Sequence, residues 1–244
     1  MQIAVNLNGN LSLKSVYQEA WKLVKGSKAP LWLPMIVGMF LLGVVEKIAM
    51  QIFQFTPDQA FPYWYTAIFA PLLFTIIMAP FAGGINAVAI QRARGQTVHI
   101  FAGFHCFDRL LELVGSLVFT LFVTNIVTII VSLYSDWAAD IARFLSLLLG
   151  VFFVFSMPLL VDKKITLLGA LEASFKIATH FYWRLIIIYL LLGLIAIAVF
   201  FTTTYLLAHH PSLWMLGIPL AIFMFWFIPF MNLVLGVIYV RIVV

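Results

Sequence analysis

Two groups of residues in this sequence have types and spacings that could do chemistry. The first is the run MAPFAGGINAVAIQRARG, Met78 to Gly95, in which Gly83 and Gly84 precede Asn86 and the arginines Arg92 and Arg94. Glycines ahead of basic side chains are the makings of a phosphate cradle, because backbone N–H groups and cationic heads can converge on one anion. The second group is polar and uncharged: Asn86, Asn125 and Asn232, with Thr120, Thr124 and Thr128 recurring every four residues. That spacing stripes one face of a helix. Such a stripe either bonds to its own helix carbonyls and to neighbouring helices, or lines a small polar path. His99, His105, Cys106 and Asp108 add metal-capable side chains, but no paired C-x-x-C or H-x-x-x-H accompanies them, and neither metal nor cofactor is expected. His209 and His210 read as solvated loop residues. No G-x-S-x-G, H-E-x-x-H or P-loop lysine occurs, and Cys106 has no obvious activating base. No catalytic residue is expected, and the chain reads as non-enzymatic.

The elements that must position these residues follow from composition. Of 244 residues 64% are hydrophobic and only 9% charged, and mean hydropathy is +1.12. Ordinary soluble domains carry about 25% charged residues, so the solvent of this chain is largely lipid. About 20 apolar residues make a transmembrane helix, and six stretches qualify: 30–50, 66–90, 110–133, 142–161, 185–207 and 213–243. The expected fold is all-α, a polytopic membrane protein of six transmembrane helices in three hairpins. Residues 1–29 form a cytoplasmic N-terminal segment ahead of the six-helix domain at 30–244. No basic n-region followed by an apolar run opens the sequence, so a cleaved signal peptide is not expected.

Orientation comes from lysine and arginine. Lys14, Lys22, Lys25, Lys28, Arg92, Arg94, Arg109, Lys163, Lys164, Lys176, Arg184 and Arg241 fall on one side, against Lys47 and Arg143 on the other. Both termini are therefore expected in the cytoplasm, and this topology, rather than nucleic acid, accounts for the net charge of +5. Tyr63, Trp64, Tyr65, Tyr134, Trp137, Tyr205 and Trp214 mark the outer interface. Tyr17, Trp21, Tyr182, Trp183 and Tyr239 mark the inner one.

Each hairpin is introduced by a cytoplasmic amphipathic segment. In LSLKSVYQEAWKLVKGSK, with Ser12 as N-cap, Leu13, Val16, Tyr17, Ala20, Trp21 and Val24 share a face that Lys14, Lys22 and Lys25 avoid. The pattern predicts a helix lying in the interface with its lysines near anionic headgroups. VHIFAGFHCFDRLLE and DKKITLLGALEASFKIATHFYWR are its counterparts, the latter with Ile165, Leu168, Ala173, Phe175 and Ala178 turned inward or into lipid. Pro80, Pro158 and Pro229 stand towards the second half of the even-numbered spans, where each predicts a kink. Ala79, Gly83 and Ala87 recur every four residues, a small face for close helix packing. Since the glycines fall inside a span, Met78–Gly95 reads as a packing hinge rather than a cradle. Gly83→Leu is expected to disrupt folding, and Arg92 and Arg94 to meet headgroups, as do Lys163 and Lys164.

Two patterns carry a resemblance. One is PFAGGINAVAIQRARGQTVHIFAGFHCFDRLLEL, with Gly95, Phe101, Gly103 and Phe104; the other is a proline, an acidic residue and A-L-x-x-S, here Pro158, Asp162, Ala170, Leu171 and Ser174. They resemble uncharacterised bacterial six-helix membrane proteins of the YciC-like type, a group similar to the membrane domain attached to some glycerophosphodiester phosphodiesterases. The resemblance spans roughly residues 10 to 240. It implies a fold and an inner-membrane address, and imports no catalytic residue.

The leading expectation is a non-enzymatic inner-membrane protein that organises lipid or docks a partner at the cytoplasmic leaflet. The alternative is a transporter or lipid translocator, with a path between kinked even-numbered helices lined by Asn86, Thr120, Thr124, Asn125 and Asn232. The partners expected are membrane lipids, with a protein partner or a second copy of the chain left open, and no nucleic acid.

Overall fold

The computed structural model describes residues 6, 11–53, 65, 69–132, 136–209, 215 and 217–243, and among these there is no β-strand. The described residues form eight α-helices: α1 (Leu13–Val24), α2 (Lys28–Ile52), α3 (Ala70–Ala93), α4 (Leu110–Ser132), α5 (Asp136–Gly150), α6 (Ser156–Asp162), α7 (Leu167–His209) and α8 (Gly217–Ile242). Among the described residues, five stretches are long and apolar enough to cross a membrane: α2, α3, Phe144–Asp162, Leu167–Leu206 and α8.

Helix α3 is the hub. It packs on α2, α8, α4, α6 and the segment that follows it. Small residues on α3 and its partners allow this crowding. Gly236 of α8 lies against the Ala89 backbone, and Gly38 of α2 against Met78 and Phe81. Gly84 touches the backbone of Gly103, whose other side meets Pro34 of α2. The F-x-G-F segment is therefore a plug. Instead of an amphipathic helix, residues 98–109 form two short 3-10 turns, Ala102–Phe104 and Phe107–Arg109, with Gly103 wedged between α2 and α3. Phe104 and Phe107 set edges against the Phe81 ring at 5.9 and 5.3 Å. The arginine–glycine pair ahead of the plug ends α3: Gly95, at φ +76°, donates to Arg92 O and Gln96 to Gln91 O, each at 3.0 Å. These paired bonds form a Schellman cap, whose left-handed position glycine fills without a side-chain clash.

The expected fourth span is not one kinked helix. It breaks into α5, a 3-10 turn (Val151–Phe153) and α6. Pro158 stands in the first turn of α6, where its missing N–H costs nothing, so the proline starts a helix rather than bending one. The backbone groups freed at the break are taken up by side chains. Ser174 Oγ accepts from Phe155 N–H at 3.2 Å and donates to Phe152 O at 2.8 Å. Ser156 Oγ donates to Phe153 O at 2.7 Å and accepts from Ser116 Oγ at 2.8 Å. Pro80 and Pro229 do lie inside continuous helices.

The third segment expected in the cytoplasm is likewise not separate. It runs straight into the fifth span as the 43-residue α7. At about 1.5 Å per residue α7 is roughly 64 Å long, twice the ~30 Å hydrocarbon core, so one half of it lies beyond the membrane interior. Its buried stripe is Ala170, Leu171, Ser174, Ile177, Ala178, Phe181, Leu185, Ile188 and Leu192, at helical spacing. Leu168 and Phe175 lie off that stripe, 78% and 48% exposed. The A-L-x-x-S residues are thus the contact that sutures the broken span.

Helix α1 begins as the sequence predicts. Ser12 Oγ accepts from Ser15 N–H at 3.3 Å. Its apolar face, however, docks on protein rather than on lipid. Val16, Ala20 and Val24 are wholly buried, mainly against α8. Tyr17 donates its hydroxyl to Ile188 O at 2.7 Å, and Trp21 stacks on Trp226 with centroids 5.9 Å apart. Tyr239, expected in the inner aromatic belt, is buried, and so is Tyr65 of the outer one. Tyr63, Trp64, Tyr134 and Trp214, and the side chains of Trp137 and Thr128, lie outside the described residues.

Candidate functional site

The basic ends of the helices gather at one end of the bundle, where most arginines are tied to protein groups. Arg94 binds Asp162 through both carboxylate oxygens, at 2.5 and 2.8 Å, and Tyr239 donates to the same carboxylate at 3.0 Å. This knot joins the ends of α3, α6 and α8. The Asp162 hydrogen bond raises the Arg94 pKa further, against a smaller opposite pull from burial. Arg92 donates to Lys25 O at 2.9 Å, fastening the end of α1 to α3. Arg241 donates to Ser15 Oγ at 2.7 Å and to Glu19 at 2.5 Å, fastening the start of α1 to α8. Arg109 donates to Leu160 O at 2.7 Å and Ile165 O at 3.0 Å, and pairs with Glu112 at 3.1 Å. It thereby caps the end of α6, whose last carbonyls have no partner within the helix. Arg92 and Arg94, expected at headgroups, hold the fold together.

The lysines differ. Lys14, Lys22, Lys25 and Lys164 are exposed, and Lys163 lies 3.9 Å from Asp162. Beside them Trp21 stays 56% exposed although it stacks on Trp226, and the Lys28 ammonium sits 2.8 Å from the Trp226 ring centroid.

Between the end of α3, the plug and the end of α6 lies a cavity of about 450 Å³. Its polar wall is Gln91, Thr97, His99, His105, Asp108, Arg109 and Lys164, and Ala87, Ala102, Cys106 and Val161 complete it. His105 Nδ1 faces Ala102 O at 3.1 Å and must donate there, leaving Nε2 as the second ring atom. His99 Nδ1 accepts from Phe101 N–H at 3.4 Å, so neutral His99 carries its proton on Nε2. No cluster of three metal-ligating side chains occurs among the described residues. Cys106 is buried, and burial together with the nearby Asp108 carboxylate pushes its thiol up to about 11. At pH 8 that leaves ~0.1% thiolate, against ~25% for an unperturbed cysteine. Iodoacetamide should therefore label Cys106 at least about a hundredfold more slowly in the folded protein than in SDS, read by mass spectrometry. Equal rates would place Cys106 in an exposed, activated setting.

The residues expected to line a polar path turn to their own helices. Asn86 donates to Ala82 O at 2.8 Å, Thr120 to Ser116 O at 2.8 Å, Thr124 to Thr120 O at 2.9 Å, Asn125 to Leu121 O at 2.8 Å and Asn232 to Ile228 O at 2.9 Å. Asn125 is exposed on α4. Sequence reasoning also passed over Gln91, Thr97 and Arg109 as cavity residues. No motif marks them, because it is the plug that folds the loop back over α3. No family model matches this chain, and neither a curated protein nor a solved structure matches it.

Proposed function

We propose that this is a non-enzymatic protein of the bacterial inner membrane, crossing it six times with both termini in the cytoplasm, and that it binds anionic lipid at the inner leaflet. The twelve-to-two bias of basic residues supports the orientation, the helices long and apolar enough to cross a membrane support the membrane address, and α4 is taken as the sixth span. The observation that carries lipid binding is the division of labour among the cations. Arg92, Arg94, Arg109 and Arg241 bond to protein, while Lys14, Lys22 and Lys25 project from α1 beside the exposed Trp21. Lysines flanking an interfacial tryptophan are the chemistry of attraction to an anionic surface.

The test belongs on the whole chain, because the apolar face of α1 is covered only when α8 is present. Each basic residue near such a surface contributes about 1 kcal/mol. The triple variant Lys14→Gln, Lys22→Gln, Lys25→Gln in nanodiscs should show a boundary preference for phosphatidylglycerol over phosphatidylcholine reduced roughly tenfold or more, measured with spin-labelled lipids. An unchanged preference would refute the lipid reading and leave a protein partner for α1.

A further inference from the structure

We propose that the cavity between α3, the plug and α6 is a binding site for a phosphate group, carried either by a phospholipid headgroup or free in solution. The first reason is uncommitted donors. The Lys164 ammonium, the Gln91 amide and the Thr97 hydroxyl line the cavity and have no side-chain partner among the described residues. His99 brings an Nε2 proton to the same wall. Arg109 supplies a second cation, held rigid by Leu160 O, Ile165 O and Glu112. Asp108 is the one carboxylate in the wall and Glu112 already offsets Arg109, so the exposed Lys164, with the neutral donors around it, is the cation left to meet a phosphodiester or monoanionic phosphate.

The second reason is the backbone at Lys164. It is the one non-glycine among the described residues with positive φ, at +50°. A lysine costs more there than glycine or asparagine would, so the chain places a cation at the rim where its backbone favours another residue. The third is depth. Ile100, Phe101, Phe107 and Leu111, from the same loop and the start of α4, are exposed apolar residues that put the rim at the acyl–headgroup boundary. A cavity of about 450 Å³ has room for a glycerophosphate with its waters. The lipid source rests on the inner-leaflet reading above; the phosphate chemistry stands without it.

The experiment uses the full chain in detergent. Phosphatidylglycerol and phosphatidylcholine are titrated and read by native mass spectrometry, and inorganic phosphate by equilibrium dialysis. Lys164→Asn removes the charge and suits the backbone; Thr97→Val is a second, independent variant. Wild-type protein should hold one phosphatidylglycerol, Lys164→Asn should weaken it about tenfold and Thr97→Val severalfold, while Lys47→Gln, at an exposed lysine of α2 that belongs to neither lipid reading, leaves it unchanged. Retention of inorganic phosphate, with displacement of the lipid, assigns the site to the soluble anion; lipid binding untouched by phosphate assigns it to the headgroup. The proposal fails if neither probe binds the wild type. It also fails if both variants, melting as the wild type does, bind both probes at wild-type strength. A null result for the α1 lysines alone would overturn only the α1 reading.

Discussion

Replacing Gly84 by alanine should cost roughly 3 kcal/mol or more, a large part of the stability of an ordinary domain. An added Cβ would fall deep inside van der Waals contact with the carbonyl of Gly103, a backbone group rather than a flexible side chain. Gly103 has no room to retreat, since Pro34 of α2 closes its other side. Neighbouring glycines supply the controls. At Gly83 the new methyl would meet Leu113 Cδ1 at 2.7 Å, the end of a side chain that can shift, so Gly83→Ala should be milder. Gly43 and Gly193 have nothing within 4 Å, and alanine there should be neutral or add ~0.5–1 kcal/mol through helix propensity. Melting in detergent and size-exclusion profiles rank the four. If Gly84→Ala behaves like Gly43→Ala, the plug is not wedged as described.

Ser174→Ala is the second large effect. Its hydroxyl is completely buried and is the partner of two backbone groups, Phe155 N–H and Phe152 O, at the break between α5 and α6. Removing it leaves both without that partner in an apolar setting, where an unmet group costs about 1–3 kcal/mol. We expect a loss of about 2–4 kcal/mol, read as a lower midpoint in SDS-driven unfolding. Thr124→Ala removes a hydroxyl that bonds to carbonyls of its own helix, which already have helical partners, and should cost under ~1 kcal/mol. Equal effects for the two would mean that the break is sutured by something other than Ser174.

The sequence showed where lipid is the solvent but not which protein group each polar residue meets. Apolar runs placed α2, α3, α4 and α8 to within a few residues, because hydropathy and length report directly on the bilayer. Ser12 was readable as a cap because its chemistry is local. The break before Pro158 was read as a kink: a proline restricts the chain identically in either case, and what decides is whether a distant hydroxyl can satisfy the freed groups. Here that hydroxyl, Ser174, lies about 20 residues downstream. The continuity of α7 was missed for a related reason. Glu172, Lys176 and Arg184 look like an interfacial stop, yet Glu172 and Lys176 form an exposed i,i+4 pair that a continuous helix accommodates. Arg92 and Arg94 were read as headgroup contacts because charge at a helix end has two remedies, lipid or protein. Only the approach of Lys25 and Asp162 reveals the protein contacts that each makes.

The seating of α1 on α8 has a consequence for how the chain is made. Ser15 and Arg241 are 226 positions apart, and at ~5–20 residues per second a ribosome takes roughly 11–45 s to bridge them. Throughout that interval the stripe of Val16, Ala20 and Val24 has been synthesised and its cover has not. Helix α1 is made long before it can be seated, so chains arrested before α8 present an uncovered apolar helix, a natural handle for chaperones and quality-control proteases.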